Sequence, residues 1–291
     1  MKPMPVTFAE DRHAAIWGQE RWLVSVHPSA TSVVKGGPFA GRRLDDLAEL
    51  FGADLLGTNA CGRFPLLIKE IDAHRRLSVQ VHPNEMTCRT VGGEPKTEMW
   101  HVLASEPGGA LFIGTRPGIG PDDLERAVDD GSVEDIILRH EAVPGESAFI
   151  PGGLVHALGD GVRVFEVQQS SNTTYRLYDW GRTDADGRPR PLHVREGLAA
   201  ADLGALPVTV RGEVACPFFR FVPIDVRGTC GIPADPDSFR VLFAAHGGFA
   251  LETADVRMSV PEGGVVLVPA VTTAEVVSEG DCTQLLVVSL G

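Results

Sequence analysis

The sequence predicts a mainly β protein with a small helical insertion, and three observations carry that expectation. Short runs of Val, Ile, Leu and Phe recur along the chain, 33 Gly and 21 Pro punctuate them, and 291 residues suffice for two domains or one large β-rich one. In the first half, residues 65–68, 78–81, 99–103, 110–113, 147–150 and 162–167 read as strands separated by turns at short spacing, hence a sandwich or barrel. One stretch breaks the pattern. Pro121-Asp122-Asp123 opens a segment with Leu124, Val128, Val133, Ile136, Ile137 and Leu138 at intervals of three to four, acids early and Arg139 and His140 late. That periodicity and charge gradient predict two short helices inserted near 121–140, and a further helix is expected over 44–51.

Around 191–203 the texture turns helical and Ala-rich, which places a domain boundary there: 1–200 forms an N-terminal domain and 205–291 a C-terminal one. Beyond it, residues 208–214, 218–223, 239–244, 249–252, 265–269 and 285–290 again read as strands. The two halves echo each other once. Gly145 precedes Pro151 by the same spacing as Gly263 precedes Pro269, but the first copy continues to His156 and the second to Ala274. Only the first copy offers a metal-binding side chain there, so the second domain is expected to be metal-free.

Composition limits the function. With 26 Lys+Arg against 39 Asp+Glu the formal charge is −13, which repels nucleic acid and anionic lipid, so an anionic ligand must be held by a local cluster of cations. No apolar stretch approaches the roughly 18 residues a bilayer span needs. The N-terminus has no apolar signal region, so a cytoplasmic location is expected. Five cysteines without a close pair argue against both a disulfide framework and a thiolate metal site.

Most of the nine histidines stand alone, His13, His140, His193 and His246 among them, and are expected to be solvated or structural. Two differ. In Arg76-Leu-Ser78-Val-Gln80-Val-His82-Pro83 the period of two puts Ser78, Gln80 and His82 on one strand face. Glu98, in Lys96-Thr97-Glu98-Met99-Trp100, follows His82 at a distance a hairpin can close. His156 follows the turn Pro151-Gly152-Gly153 and can point back into a barrel. Gln80, His82, Glu98 and His156 together make a two-nitrogen, two-oxygen set suited to Zn²⁺ or another first-row divalent ion. In the run from Glu166 to Trp180, Glu166, Gln168 and Arg176 are placed to face the same interior, with a carboxylate for acid/base work and a guanidinium for an anion.

These segments together resemble the type I phosphomannose isomerases, in particular the short bacterial form, within the cupin superfamily. The resemblance covers most of the chain. It runs through Ser32-Val33-Val34 with Gly36, Gly37, Phe39 and Gly41, then Pro65 to Ala73, Leu77 to Pro83, Lys96 to Trp100, Pro151 to Leu158 and Glu166 to Trp180. It implies two cupin-like jelly-roll β-domains, with the catalytic site in the first. It also implies one zinc per chain on Gln80, His82, Glu98 and His156, other divalent metals being compatible with the set. The implied reaction interconverts mannose 6-phosphate and fructose 6-phosphate through a cis-enediol(ate), whose charge a Lewis-acidic metal stabilises.

The resemblance makes Arg176, Glu166 and Lys96 the expected catalytic residues and Lys69 and Ser78 substrate-binding ones. The base is Glu166 or a metal-bound water, and Arg176 is the cation near the enediol or the phosphate. Lys69, Ser78 and Lys96 fix polar substrate groups. The chain departs from the family twice: Asn172 stands where an Asp is common, and the stretch from Trp17 to Trp22 before Ser25-Val26-His27-Pro28 is compressed. Three other readings remain open: a non-catalytic sugar-phosphate-binding cupin, an isomerase of another sugar phosphate, and a metal-dependent oxygenase, against which the amide ligand and the Lys and Arg pocket argue. A small sugar phosphate is the expected partner, without nucleic acid or membrane, and the chain is expected to be a monomer or homodimer.

Overall fold

A computed structural model describes residues 2–183 and 186–291. The chain packs as two compact units. One comprises Arg12–Arg21 and Ile68–Arg211; the other comprises the segment up to Asp11, Trp22–Leu67 and Gly212–Gly291.

The unit containing Ile68–Arg211 is built on two sheets. The larger has the strand order Arg12–Ala15, Gly18–Val24, Leu66–Ala73, Val162–Gln169, Glu98–Ser105, Ser147–Ile150, Val208–Val210. The smaller has the order Tyr175–Tyr178, Val79–Val81, His156–Leu158, Ala110–Thr115, Ile137–Glu141. Alternation along the smaller sheet sorts its side chains. Leu111, Ile113 and Leu158 join Ile71, Trp100, Val102 and Val164 in one core. Val79, Val81, Phe112, Ala157 and Leu177 face a second core with Leu124, Ala127 and Val128 of the helix Pro121–Asp130 and Ala200 of the helix Val194–Ala200. Covered on both faces, this sheet turns its polar residues at even positions inward.

The helix Pro121–Asp130 begins with Pro at its first turn and an Asp123 carboxylate accepting the Gly120 N–H at 3.0 Å, and it stops at Gly131 in a left-handed conformation. A short helix, Val133–Ile136, follows. The predicted helical segment ends earlier than its periodicity suggests: Ile137–Glu141, with Arg139 and His140, is a strand paired with Ala110–Thr115. The predicted helix over 44–51 is present as Leu44–Phe51, with Asp46 accepting the Arg43 N–H and Gly52 ending it.

The other unit holds a five-stranded sheet (Val214–Ala215, Arg220–Val226, Thr283–Ser289, Arg240–His246, Val265–Val268) and a four-stranded one (Thr229–Ile232, Ala274–Ser278, Phe249–Glu252, Arg257–Val260). Leu242, Phe249, Val266, Val276 and Leu285 form its core between them. The echo between the halves is structural: Ser147–Ile150 and Val265–Val268 are strands before their prolines, and His156 and Ala274 each open the next strand. All five cysteines are free thiols. Among the described residues no helix is long and apolar enough to cross a membrane.

Candidate metal centre and active site

Strand register assembles the site. On the smaller sheet Gln80 is paired with Arg176 on one side and His156 on the other. On the larger sheet Glu98 is opposite Gln168 and Trp100 opposite Glu166. Because side chains alternate at every second residue, Ser78 falls on the face of Gln80, and Asn172 and Thr174 precede Arg176 at the same period. These two polar rows meet between the sheets.

At the centre lies a carboxylate between two imidazoles. Glu98 is fully buried, with Oε1 3.4 Å from His156 Nε2 and Oε2 3.5 Å from His82 Nε2. His82 Nδ1 lies 2.8 Å from the Thr173 carbonyl oxygen and His156 Nδ1 2.8 Å from the Leu154 carbonyl oxygen. A carbonyl only accepts, so each Nδ1 carries the proton and each Nε2 keeps its lone pair toward Glu98. Burial, reinforced by Lys96, pushes the His82 pKa down to about 3, and burial lowers that of His156. Both rings are therefore neutral, as metal ligands must be.

Burial opposes the charge on Glu98, but Lys96 and the two imidazoles hold its carboxyl well below the usual range. Lys96 Nζ stands 2.7 Å from Oε2, yet neither oxygen accepts a well-aligned hydrogen bond among the described residues. The Gln80 amide completes the set, its Nε2 3.3 Å from His156 Nε2 and its Oε1 accepting from Ser78 Oγ at 3.4 Å. A half turn of that amide presents oxygen in place of nitrogen. Two lone-pair nitrogens, an ionised carboxylate short of donors and an amide fit a divalent metal. The donor atoms of His82, Glu98 and His156 all lie within 4.8 Å of one another.

Beside this centre a cavity is lined by Lys69, Ser78, Gln80, Lys96, Glu166 and Arg176, and also by Trp17, Glu20, Trp100, Asn172, Thr174 and Arg190. Glu166 accepts a 2.8 Å hydrogen bond from Trp100 Nε1 on Oε2, and its Oε1 is 3.5 Å from Lys69 Nζ. Burial and the nearby Glu98 charge raise its pKa against the pull of Lys96 and Lys69. Burial disfavours the Lys69 ammonium, but Glu20, Glu166 and Glu98 outweigh it and raise its pKa. The result is a buried carboxyl whose proton is easier to hold than usual, next to a firmly charged ammonium. Such a pair is chemically able to accept and donate a proton beside a set of side chains that fits a metal.

Of the ten residues singled out in the sequence, nine stand at this centre or its cavity. Gln168 is different: its amide donates to the Gln169 and Ser171 carbonyls at 2.9 and 2.6 Å and so supports the loop that carries Asn172. Among the cavity residues that sequence reasoning missed, Trp100 was signalled by its place two residues from Glu98 on one strand face. Arg190 lies in Gly187-Arg-Pro-Arg190-Pro191, a basic loop with no strand or helix period to assign it a side. Glu20 belongs to the stretch from Trp17 to Trp22, which supplies a wall of the cavity through Trp17 and Glu20.

Comparison with known proteins adds a second line of evidence. Residues 7–129 match the model of the family described as phosphomannose isomerase type I, catalytic domain. A mannose-6-phosphate isomerase from Streptococcus mutans is 34% identical over 219 residues, which is 69% of this chain and 68% of that protein. The crystal structure of the mannose 6-phosphate isomerase from Bacillus subtilis superposes with a TM-score of 0.87 at 26% identity, covering 99% of both chains. A zinc-bound mannose 6-phosphate isomerase structure shares the fold, with a TM-score of 0.76 at 16% identity over 99% of this chain and 100% of the other.

Proposed function

The chain belongs to the type I phosphomannose isomerases, of cupin fold, and from that premise we propose how its site works as a metal-dependent aldose–ketose isomerase that interconverts mannose 6-phosphate and fructose 6-phosphate. The observation that carries the reading is the pairing of two neutral, backbone-oriented imidazoles around a buried carboxylate with a raised-pKa carboxyl, Glu166, on the same cavity.

Gln80, His82, Glu98 and His156 hold the metal, and zinc is the ion that best suits two imidazoles, a carboxylate and an amide; the zinc-bound relative supports that choice. One ion per chain follows from Ala274, whose methyl has no lone pair to offer where the first half has His156. Bound there, the metal supplies Lewis acidity that favours negative charge on the oxygens at C1 and C2 of the sugar. Moving the carbonyl between those carbons requires taking a proton from one and returning it to the other through a cis-enediol(ate). Glu166 takes and returns that proton: its raised pKa places it nearer neutrality, where an acid/base catalyst works best. Trp100 and Lys69 hold its two oxygens in place.

Lys96 is the cation nearest the metal ligands and offsets oxyanion charge, while Lys69 and Ser78 bind substrate hydroxyls. Arg176 stands by the enediol or the phosphate. The deciding experiment is a coupled assay for fructose 6-phosphate formed from mannose 6-phosphate by protein as purified, after chelation, and after zinc is restored. Turnover lost to the chelator and recovered with zinc is expected. A folded, zinc-loaded sample without turnover would instead mean another sugar phosphate or a binding protein, and Asn172→Asp is then the variant to measure.

A further inference from the structure

The positive charges around the cavity differ in the partners they have among the described residues. Lys69 is shared by Glu20 and Glu166, at 3.4 and 3.5 Å, and Lys96 sits on Glu98. The arginines differ. Arg176 Nη1 donates to the Pro191 carbonyl at 2.8 Å, which places its head beside the neighbouring Arg190, and both side chains line the cavity. Arg190 is gripped by Asp179 through two bonds, Nε to Oδ2 at 2.8 Å and Nη2 to Oδ1 at 2.6 Å. The same carboxylate, 6% exposed, also takes Arg182. Two guanidinium groups thus share this one carboxylate, and Arg176 beside them is bonded to a carbonyl and to no carboxylate among the described residues.

Arginine does not shed its proton to relieve such crowding. Burial disfavours the charged form of Arg176, and Arg190 and Arg182 repel it. Its Nε is buried and has no hydrogen-bond partner among the described residues. Partly buried cations crowded in this way are favoured by an anion that accepts from them. A phosphomonoester carries close to two negative charges near neutral pH and accepts the paired N–H groups of guanidinium side by side.

We propose that Arg190 is a specificity-determining residue of this enzyme, clamping the phosphate of the substrate together with Arg176 while Asp179 holds Arg190 in position. The proposal rests on the sugar-phosphate isomerase reading and sharpens it. Arg176 belongs to the phosphate end of the cavity with Arg190, whose carboxylate is shared with Arg182, whereas Lys69 and Lys96 face Glu20, Glu166 and Glu98 and serve the sugar end. Asp179 and Arg182 are positioning residues that touch no substrate.

The test compares the zinc-loaded full chain with Arg190→Gln, Arg190→Lys and Asp179→Asn. KM for mannose 6-phosphate, the inhibition constant of inorganic phosphate and the melting temperature are measured for each. Loss of a charge-assisted, two-pronged contact predicts a rise in both constants of roughly tenfold or more for Arg190→Gln. Arg190→Lys should recover part of it, and Asp179→Asn should raise both constants less than Arg190→Gln does. If Arg190 merely pins its loop to Asp179, the melting temperature falls while both constants stay within about twofold of wild type by the same affinity arithmetic, and the proposal is overturned. Should the wild-type chain show no turnover at all, the isomerase reading fails separately. Calorimetric titration with inorganic phosphate then decides the clamp: binding by wild type and not by Arg190→Gln supports it, and equal binding or none refutes it.

Discussion

Replacing Lys69 by Met probes the electrostatics of the cavity most directly. The Lys69 ammonium, 4% exposed, lies 3.4 Å from Glu20 and 3.5 Å from Glu166. At an effective dielectric near 20, opposite charges at that separation attract by about 5 kcal/mol, before desolvation is subtracted. Glu20 is partly exposed and recovers water when the cation goes. Glu166, 2% exposed, does not. Leaving a buried charge without its partner costs about 3–5 kcal/mol, a large share of the roughly 5–15 kcal/mol that keeps a domain folded.

Urea unfolding at pH 7.5 of wild type, Lys69→Met, Glu166→Gln and the double variant measures the loss and the coupling between the two sites. The double variant should regain part of the stability, because a neutral amide no longer needs the cation. The loss should also shrink toward acid. Without Lys69 the folded pKa of Glu166 rises further above its unfolded value, so between those two values the folded state holds a proton the unfolded state lacks. Stability therefore falls as pH rises through that window and is regained as pH drops. A loss under about 1 kcal/mol, the size of an exposed pair, without coupling to Glu166, would refute the reasoning.

Glu98→Gln removes the charge that faces both imidazoles, so metal content measured by atomic emission should fall from about one equivalent to near zero and turnover by at least about a hundredfold. Trp100→Phe takes away the 2.8 Å hydrogen bond to Glu166; at about 1.5–2 kcal/mol for a bond to a charged group, kcat should drop about 10–30-fold with little change in KM. His101 is buried beside Ser147, and burial pushes its pKa down from 6.5 to about 4. The unfolded chain takes up a proton below about 6.5 that the folded chain refuses, so stability falls as pH drops from there toward 4, by about 3 kcal/mol for this residue. Urea midpoints of wild type and His101→Gln across pH 4 to 7.5 should converge toward acid, and parallel curves would show that another group carries the loss.

Much of the fold was legible because β-strands here are short apolar runs closed by Gly and Pro. Residues 147–150 and 249–252 are expected at their observed bounds, and the helix expected over 44–51 is present as Leu44–Phe51. Strands without that texture were missed. Gly18–Val24 contains Gln19, Glu20 and Arg21, and nothing local favours it as a strand; its pairing with Arg12–Ala15 makes it one. Ile137–Glu141 carried a helical spacing on from Val133–Ile136, but pairing with Ala110–Thr115 prevailed over local preference.

The same division runs through the site. Ser78, Gln80 and His82 share a strand period, and the residue types at 98, 156 and 166 name their chemistry, so the sequence by itself determined which side chains are candidates to carry ligands, charge and protons. It could not determine their mutual geometry. The lone pairs of His82 and His156 are aimed by backbone carbonyls at Thr173 and Leu154, one of them 91 residues distant along the chain. The raised pKa of Glu166 comes from burial and from Glu98, and the crowding of positive charge at Arg176 and Arg190 arises because Arg182 and Arg190 share Asp179 while Arg176 is bonded to the Pro191 carbonyl beside them. Burial, tautomer and charge balance are properties of the space around a side chain, and only the packed sheets create that space.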